Sequence, residues 1–371
     1  MRIAVDARPL ARSTAGIGRY TDSLVSKLVP QGGTWYLYTD RPLLKDYSHL
    51  GDVVVRLPEQ RRFPGALRAQ TDFVGWAKTD AIDVFWSPRH HLPVFLPRKV
   101  KKLVTIHDLV WVRHPGSMKK MGWLLEFLLM PVSLLLADRI VSVSEFTASE
   151  MKKVLRVPAA KIEIIPLAPY DFDEGAQSGD NPVGIANKAY FLFVGTPEPR
   201  KNLGRLLEAF SNLLKGLDTS PALCIVGGHG WGGEETSDLV REFGLEKDVV
   251  LPGHVSDFEL DQLYQHAMAL VMPSLYEGFG LPILEAMRHG VPVITGNCSA
   301  MPEVAGDGAL LVDPLSVVEI EAAMSKLYSE PAVRAELSEN ALAQARKFSW
   351  QFTADRTLTQ IKQLASQVIT A

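Results

Sequence analysis

Residues 269–297 read ALVMPSLYEGFGLPILEAMRHGVPVITGN, and their pattern is strand, loop, helix, strand. Ala269, Leu270, Val271 and Met272 form a short apolar run closed by Pro273 and Ser274, as a buried strand should be. A loop with two glycines follows, Glu277-Gly278-Phe279-Gly280-Leu281. Pro282 is expected at the first helical position, where its missing N–H has no partner to lose. Ile283, Leu284, Ala286 and Met287 supply the apolar side of a helix ending near Gly290, and a strand is expected from Val291. Such a loop brings free N–H groups and a positive helix end to one point, which suits an anion such as phosphate. Glu277 and Glu285 bracket that point. Beside a phosphate a carboxylate is repelled, so these two are better matched to hydroxyls. A ligand with phosphate in its middle and polyols on both sides is a nucleotide sugar. Taken singly, Glu277 reads equally well as a solvated surface residue and Glu285 as an acid favoured by the helix dipole. The pair with Gly-Phe-Gly between them is what points to a ligand.

Glu277 and Glu285, with GFGLPIL between them, resemble the E-x7-E signature of retaining family 4 glycosyltransferases. The resemblance extends over nearly the whole chain. It implies the GT-B fold, an α/β architecture of two Rossmann-like domains facing across a cleft, with a C-terminal helix returning to the first domain. It implies that Glu277 contacts the donor sugar and Glu285 the nucleotide ribose. The amides of Phe279, Gly280 and Leu281 would hold the sugar and diphosphate.

The 371 residues suit two domains. The expected division is 1–168, a linker over 169–188, 189–350, and a returning helix over 351–371. Arg2 to Asp6 reads as a strand directly after Met1, so no signal peptide is expected, and two cysteines, Cys224 and Cys298, fit a reducing cytoplasm. Net charge is −3, and no nucleic-acid partner is expected. Residues 1–180 carry 25 of the 39 Lys and Arg against 19 of the 42 Asp and Glu, leaving 14 against 23 for the remainder. The basic first half fits an anionic acceptor or membrane surface, and a plain solvated surface fits almost as well.

After the first strand, Gly16-Ile17-Gly18-Arg19-Tyr20 opens a helix. The glycines allow close approach to a phosphate; a turn that simply needs glycine is the rival reading. A dinucleotide fingerprint fails, because its third glycine is Thr21 and the loop is too long. In family 4 enzymes the Gly16 and Gly18 loop would face the donor diphosphate. Arg61, Arg62 and Arg68 lie in a basic segment with Phe63 and Trp76. His90 and His91 are adjacent, but neighbouring side chains are expected to diverge, so no metal site is expected. His107 follows a strand over 102–106, where ligands of parallel sheets bind. The resemblance makes it the histidine that lies over the donor sugar, in a positioning role.

Residues 118–137 are the most apolar stretch. They are read first as a buried domain helix, with Lys119, Lys120, Trp123 and Phe127 resting on an anionic membrane as the alternative. The second domain starts with a strand at Tyr190. Arg200 and Lys201 precede a helix, the pattern of a phosphate clamp. In the family an arginine usually follows Gly195 directly, whereas this chain has Thr196; Arg200 is expected to supply that charge. Val255, after a strand over 249–251, would hold the nucleotide base.

The implied reaction is metal-independent, retaining transfer of a hexose to a saccharide or lipid-linked acceptor, with no cofactor beyond the nucleotide-sugar substrate. The Gly-Ile-Gly-Arg-Tyr and Glu-Pro-Arg-Lys-Asn variants resemble bacterial mannosyltransferases of O-antigen and exopolysaccharide assembly, so GDP-mannose is the expected donor. UDP-glucose, UDP-N-acetylhexosamine and NDP-deoxysugars stay open. Location would be cytoplasmic, at the inner face of the inner membrane. A dinucleotide oxidoreductase, a sugar-nucleotide epimerase and a non-catalytic sugar-nucleotide-binding partner are the other classes considered.

Overall fold

The structure is a computed structural model, and it describes residues 1–12, 16–58, 65–170, 188–228 and 236–369. Arg61, Arg62 and Phe63 of the basic segment lie outside the described residues, as does nearly all of the expected linker. The chain divides into two compact units. One comprises Met1–Leu109, Lys120–Leu167 and Ser349–Ala371; the other comprises Val110–Lys119 and Ala168–Phe348.

The first unit is built on seven parallel strands: β1 (Arg2–Asp6), β2 (Thr34–Tyr38), β3 (Val53–Arg56), β4 (Val84–Ser87), β5 (Lys101–Ile106), β6 (Arg139–Ser142) and β7 (Ile162–Ile164). Their order is β3-β2-β1-β4-β5-β6-β7. The second unit has six: β8 (Tyr190–Val194), β9 (Ala222–Val226), β10 (Val249–Gly253), β11 (Ala269–Met272), β12 (Val293–Gly296) and β13 (Ala309–Val312), in the order β10-β9-β8-β11-β12-β13. Every strand pairing is parallel. Parallel sheets are covered on both faces, which is why central strands such as YFLFV and ALCIV are continuously apolar and wholly buried.

Both sheets reverse their strand order once, between β1 and β4 and between β8 and β11. Right-handed crossovers running in opposite lateral directions pass over opposite faces. The loops leaving the carboxyl ends of the two strands therefore part, and a ligand fits between them.

The last helix, Trp350–Ile369, packs in the first unit against the Ile17–Leu28 helix and β5. Its Thr353 hydroxyl donates to the Pro166 carbonyl at 2.8 Å, and Trp350 lies 6.1 Å from the Tyr20 ring. Residues 110–119 depart from the expected continuous 1–168 domain. They go with the second unit because the His114 ring meets Tyr276 at 5.4 Å and the turn Pro115–Ser117 packs on Pro199–Lys201.

The helix Lys120–Leu136 corrects a second expectation, that this apolar stretch is buried. Only Met130, Ser133 and Leu134 are enclosed. Met121, Leu124, Phe127, Leu128 and Leu135 are 41–76% exposed. A uniformly apolar helix does not encode which side is covered, since its periodicity carries no contrast. Among the described residues no helix is long and apolar enough to cross a membrane.

Gly227, at the end of β9, shows how closely the carboxyl edge of the second sheet is packed. A Cβ there would stand 2.2 Å from the Gly195 carbonyl oxygen, a backbone atom held by the Gly195 N–H bond to Val226. Gly227→Ala is expected to destabilise the protein by about 1–3 kcal/mol. Thermal unfolding at an unchanged midpoint would contradict this packing.

Candidate active site

The second unit gathers its charged side chains where β8 and β11 part. The β8 loop ends in the turn Pro199–Lys201, and Asn202 then takes a left-handed conformation (φ 62°) as it starts the helix Leu203–Leu214. Asparagine tolerates that conformation and can use its side chain locally. Here its amide donates to the Pro273 carbonyl at 3.0 Å and the Pro314 carbonyl at 2.5 Å. The Leu275 N–H donates to the Arg200 carbonyl at 2.7 Å. These bonds stitch the β8 loop to the loops that follow β11 and β13.

Glu277 is thereby set against both cations. Lys201 Nζ donates to its Oε1 at 2.5 Å and Arg200 Nη1 to its Oε2 at 2.9 Å. Arg200 also donates to the Tyr276 carbonyl at 3.1 Å and, through Nε, to Glu198 at 2.9 Å. The Glu277 N–H is held by Ser299 Oγ at 3.1 Å. All three charged groups are buried or nearly so. Burial alone would raise the Glu277 pKa, but Lys201 and then Arg200 outweigh it and bring it down to about 2. The carboxylate is ionised at neutral pH.

Gly280 (φ 103°) caps the helix Leu281–Met287, and Pro282 stands at its second position, one later than expected. Phe279 turns its ring onto Phe348 at 6.0 Å and is buried. The other carboxylate of the signature, Glu285, is 2% exposed and accepts from the Tyr264 hydroxyl at 2.8 Å. Val255 is half-buried after β10, and its carbonyl lies 2.8 Å from His254 Nδ1. Ser256 and Glu259 form a capping box for the next helix, which fixes where Val255 stands.

The first unit holds His107, Gly16 and Gly18. Gly16 (φ 52°) precedes the helix Ile17–Leu28, and Gly18 is buried in its first turn; residues 13–15 of the loop lie outside the described residues. Tyr20 of that helix meets the His107 ring edge-on at 4.8 Å. His107 Nε2 lies 2.8 Å from the Pro88 carbonyl, which assigns its proton to Nε2. Burial and His90 lower its pKa to about 3, so the ring is neutral in ordinary buffers.

His90 and His91 contradict the expected divergence of adjacent side chains. His90 Nδ1 and His91 Nε2 both approach Glu126 Oε2, at 3.2 and 3.0 Å. Only His90 is aligned for a hydrogen bond. The His107 N–H donates to His90 Nε2 at 3.1 Å. Glu126 sits on the Lys120–Leu136 helix, so that helix tethers the His107 loop through His90. No sequence spacing announces this chain of contacts. The same holds for Ser299, Tyr276 and Glu198; for Asn202, its place directly before a helix was a usable signal.

Comparison with known proteins places this geometry. Residues 14–168 match Glycosyltransferase Family 4, and residues 180–344 match Glycosyl transferases group 1. The chain is 32% identical to O-antigen chain mannosyltransferase B of Escherichia coli, over 98% of this chain and all of that one. It belongs to the family 4 glycosyltransferases. Solved structures agree on the fold of this glycosyltransferase. Sucrose-phosphate synthase of Thermosynechococcus elongatus superposes with a TM-score of 0.77 at 19% identity, over 99% of this chain and 100% of that one. Anabaena HepE in complex with UDP-glucose gives 0.74 at 17% identity, over 98% and 100%. The two sheets are those of a GT-B enzyme.

The paired Glu277 links the site of this glycosyltransferase to stability. A carboxyl with a folded pKa near 2 and an ordinary value of 4.5 stabilises the fold fully above about pH 4.5. That contribution fades as pH falls toward 2. Glu277→Gln is expected to lower stability at pH 7 by on the order of 3 kcal/mol, with the gap to wild type closing as the pH drops. Unfolding curves with a constant gap from pH 7 to pH 3 would refute the ion cluster.

Proposed function

We propose that this glycosyltransferase moves α-mannose from GDP-mannose, with retention, to a hydroxyl of a saccharide or lipid-linked saccharide in cell-surface polysaccharide synthesis. The observation that carries the reading is the Glu277–Lys201–Arg200 cluster at the β8/β11 reversal, in a chain alignable end to end with an O-antigen mannosyltransferase. As the sugar leaves, negative charge builds on the β-phosphate. Lys201 and Arg200 meet that charge, a contribution of about 3–4 kcal/mol for a well-placed donor. Both cations are paired to Glu277 in the structure. Donor binding then exchanges partners: the diphosphate takes the cations, and Glu277 turns to sugar hydroxyls. The amides of Phe279, Gly280 and Leu281 support the diphosphate, Glu285 the ribose, and Val255 the base. Gly16 and Gly18 let backbone approach phosphate in the first unit. Two cations at the diphosphate remove the need for a divalent metal or other cofactor. Retention follows from front-face attack, in which the departing phosphate takes the acceptor's proton. His107, neutral and with its Nε2 proton engaged, positions rather than acts as a base.

The exposed face of the Lys120–Leu136 helix supports contact with an anionic membrane at the cytoplasmic surface. Its apolar residues stand beside the exposed Lys119 and Lys120, and Trp123 stacks on Phe127 at 5.3 Å. An apolar strip edged by cations suits an acidic lipid surface.

Calorimetric titration with GDP-mannose, UDP-glucose, UDP-N-acetylglucosamine and NDP-deoxysugars tests the donor; GDP-mannose is expected to bind tightest. Glu277→Ala is expected to cut transfer at least about 10²–10³-fold, and near-wild-type turnover would remove the site assignment. Leu124→Asp with Leu128→Asp should reduce co-sedimentation with phosphatidylglycerol vesicles without changing nucleotide affinity. Equal vesicle binding by the double variant would end the membrane reading.

A further inference from the structure

The first unit carries a second charged cluster at its own strand-order reversal. β1 and β4 run side by side, with Val5 beside Trp86. Continuing that register places Arg8 and Arg89 at equivalent positions just past the two strand ends. Arg8 is buried and satisfied by Asp6, through Nε to Oδ1 at 2.8 Å and Nη2 to Oδ2 at 2.5 Å. Arg12, a few residues on, pairs with Asp40 at 2.5 Å. Both carboxylates of the cluster are thus engaged by the other two arginines.

Arg89 has no such partner. Among the described residues, no carboxylate, carbonyl or hydroxyl accepts from its guanidinium. Its backbone is fixed all the same. The Ser87 hydroxyl lies 2.8 Å from the carbonyls of Arg89 and His91, His107 Nε2 holds the Pro88 carbonyl at 2.8 Å, and His90 is held by Glu126. A rigid loop thus presents, beside Arg8, a partly buried cation with no hydrogen-bonded counter-ion among the described residues. Burial and then Arg8 outweigh the attraction of Asp6 and push its pKa below the usual arginine value. Five donors in a planar fork match an oxyanion. Asp6 and Asp40 are already taken by Arg8 and Arg12, and a guanidinium fork pairs bidentately with phosphoryl oxygens.

We propose that Arg89 is an oxyanion-binding residue of the first unit and that its ligand is a phosphoryl or pyrophosphoryl group carried by the acceptor. Assigning the anion to the acceptor rests on the transferase reading above; the anion site itself does not. The donor's diphosphate is the other source of the same chemistry, and the experiment separates the two.

Inorganic pyrophosphate is titrated calorimetrically into the full chain with GDP at saturation, so that the second unit's clamp is filled. Wild type is expected to bind it, Arg89→Gln at least tenfold more weakly, and Arg89→Lys in between. Acetate is expected to bind at least tenfold more weakly than pyrophosphate. GDP affinity of Arg89→Gln should stay within twofold of wild type. Its thermal midpoint should equal or exceed wild type, because an unpaired charge beside Arg8 is removed; a structural arginine would give the opposite. Unchanged pyrophosphate binding in Arg89→Gln, a lowered midpoint, or a loss of GDP affinity would each overturn the proposal. Acetate binding as tight as pyrophosphate would overturn the phosphoryl assignment. Should wild type fail to bind GDP, the donor reading falls, while the pyrophosphate comparison between wild type and Arg89→Gln still decides this one.

Discussion

Reversal of strand order in an all-parallel sheet is the constraint from which the rest follows. A parallel strand must be followed by a crossover, and crossovers share one hand. Where two neighbours send their chains in opposite directions, nothing regular fills the space beyond their carboxyl ends. The sequence has to fill it with side chains and tight loops. In the second unit it does so with Glu277, Lys201 and Arg200, stitched together by Asn202. In the first it does so with Asp6, Arg8 and Arg89, beside the pinned His90 loop. Each sheet thus places its concentrated charge at the one location its topology leaves open.

The two clusters differ in their charge balance. Around Glu277, Arg200 and Lys201 meet Glu277 and Glu198, so the cluster is balanced in charge and ordered. Such pairing offsets the cost of holding buried charge. Around Arg8, the pairing is incomplete by one positive charge. Electrostatics of this kind is set by a few bonds, which is why both Glu277 and Arg89 depart from the ordinary behaviour of their residue types.

Much of this was legible beforehand. β8 and β11 lie where their apolar runs put them, because a doubly covered strand has no other way to look. Ser144, Ser256 and Ser316 each cap a helix by accepting from an N–H three residues on, a pattern serine directly before a helix favours. The charged trio of the second unit was visible as types of residue, but not as an ion cluster: no local rule says that Lys201 faces a carboxylate 76 residues away. The same limit applies to His90, His91 and Glu126, which meet across 35 or 36 residues of sequence. The Lys120–Leu136 helix misled for another reason. Apolar content reports how much could be buried, whereas coverage depends on what the rest of the chain brings alongside.

The helix Leu281–Met287 has a wider consequence. Ile283, Leu284, Glu285, Ala286 and Met287 are all buried, and interiors packed at crystal density tolerate little change of volume. On the function proposed above, a chain under pressure to accept a different sugar or base has little room to vary there. On the same reading, innovation would come through the more open segments around Val255 and Ser256, with the enclosed turn as the inherited part and its rim as the adjustable one.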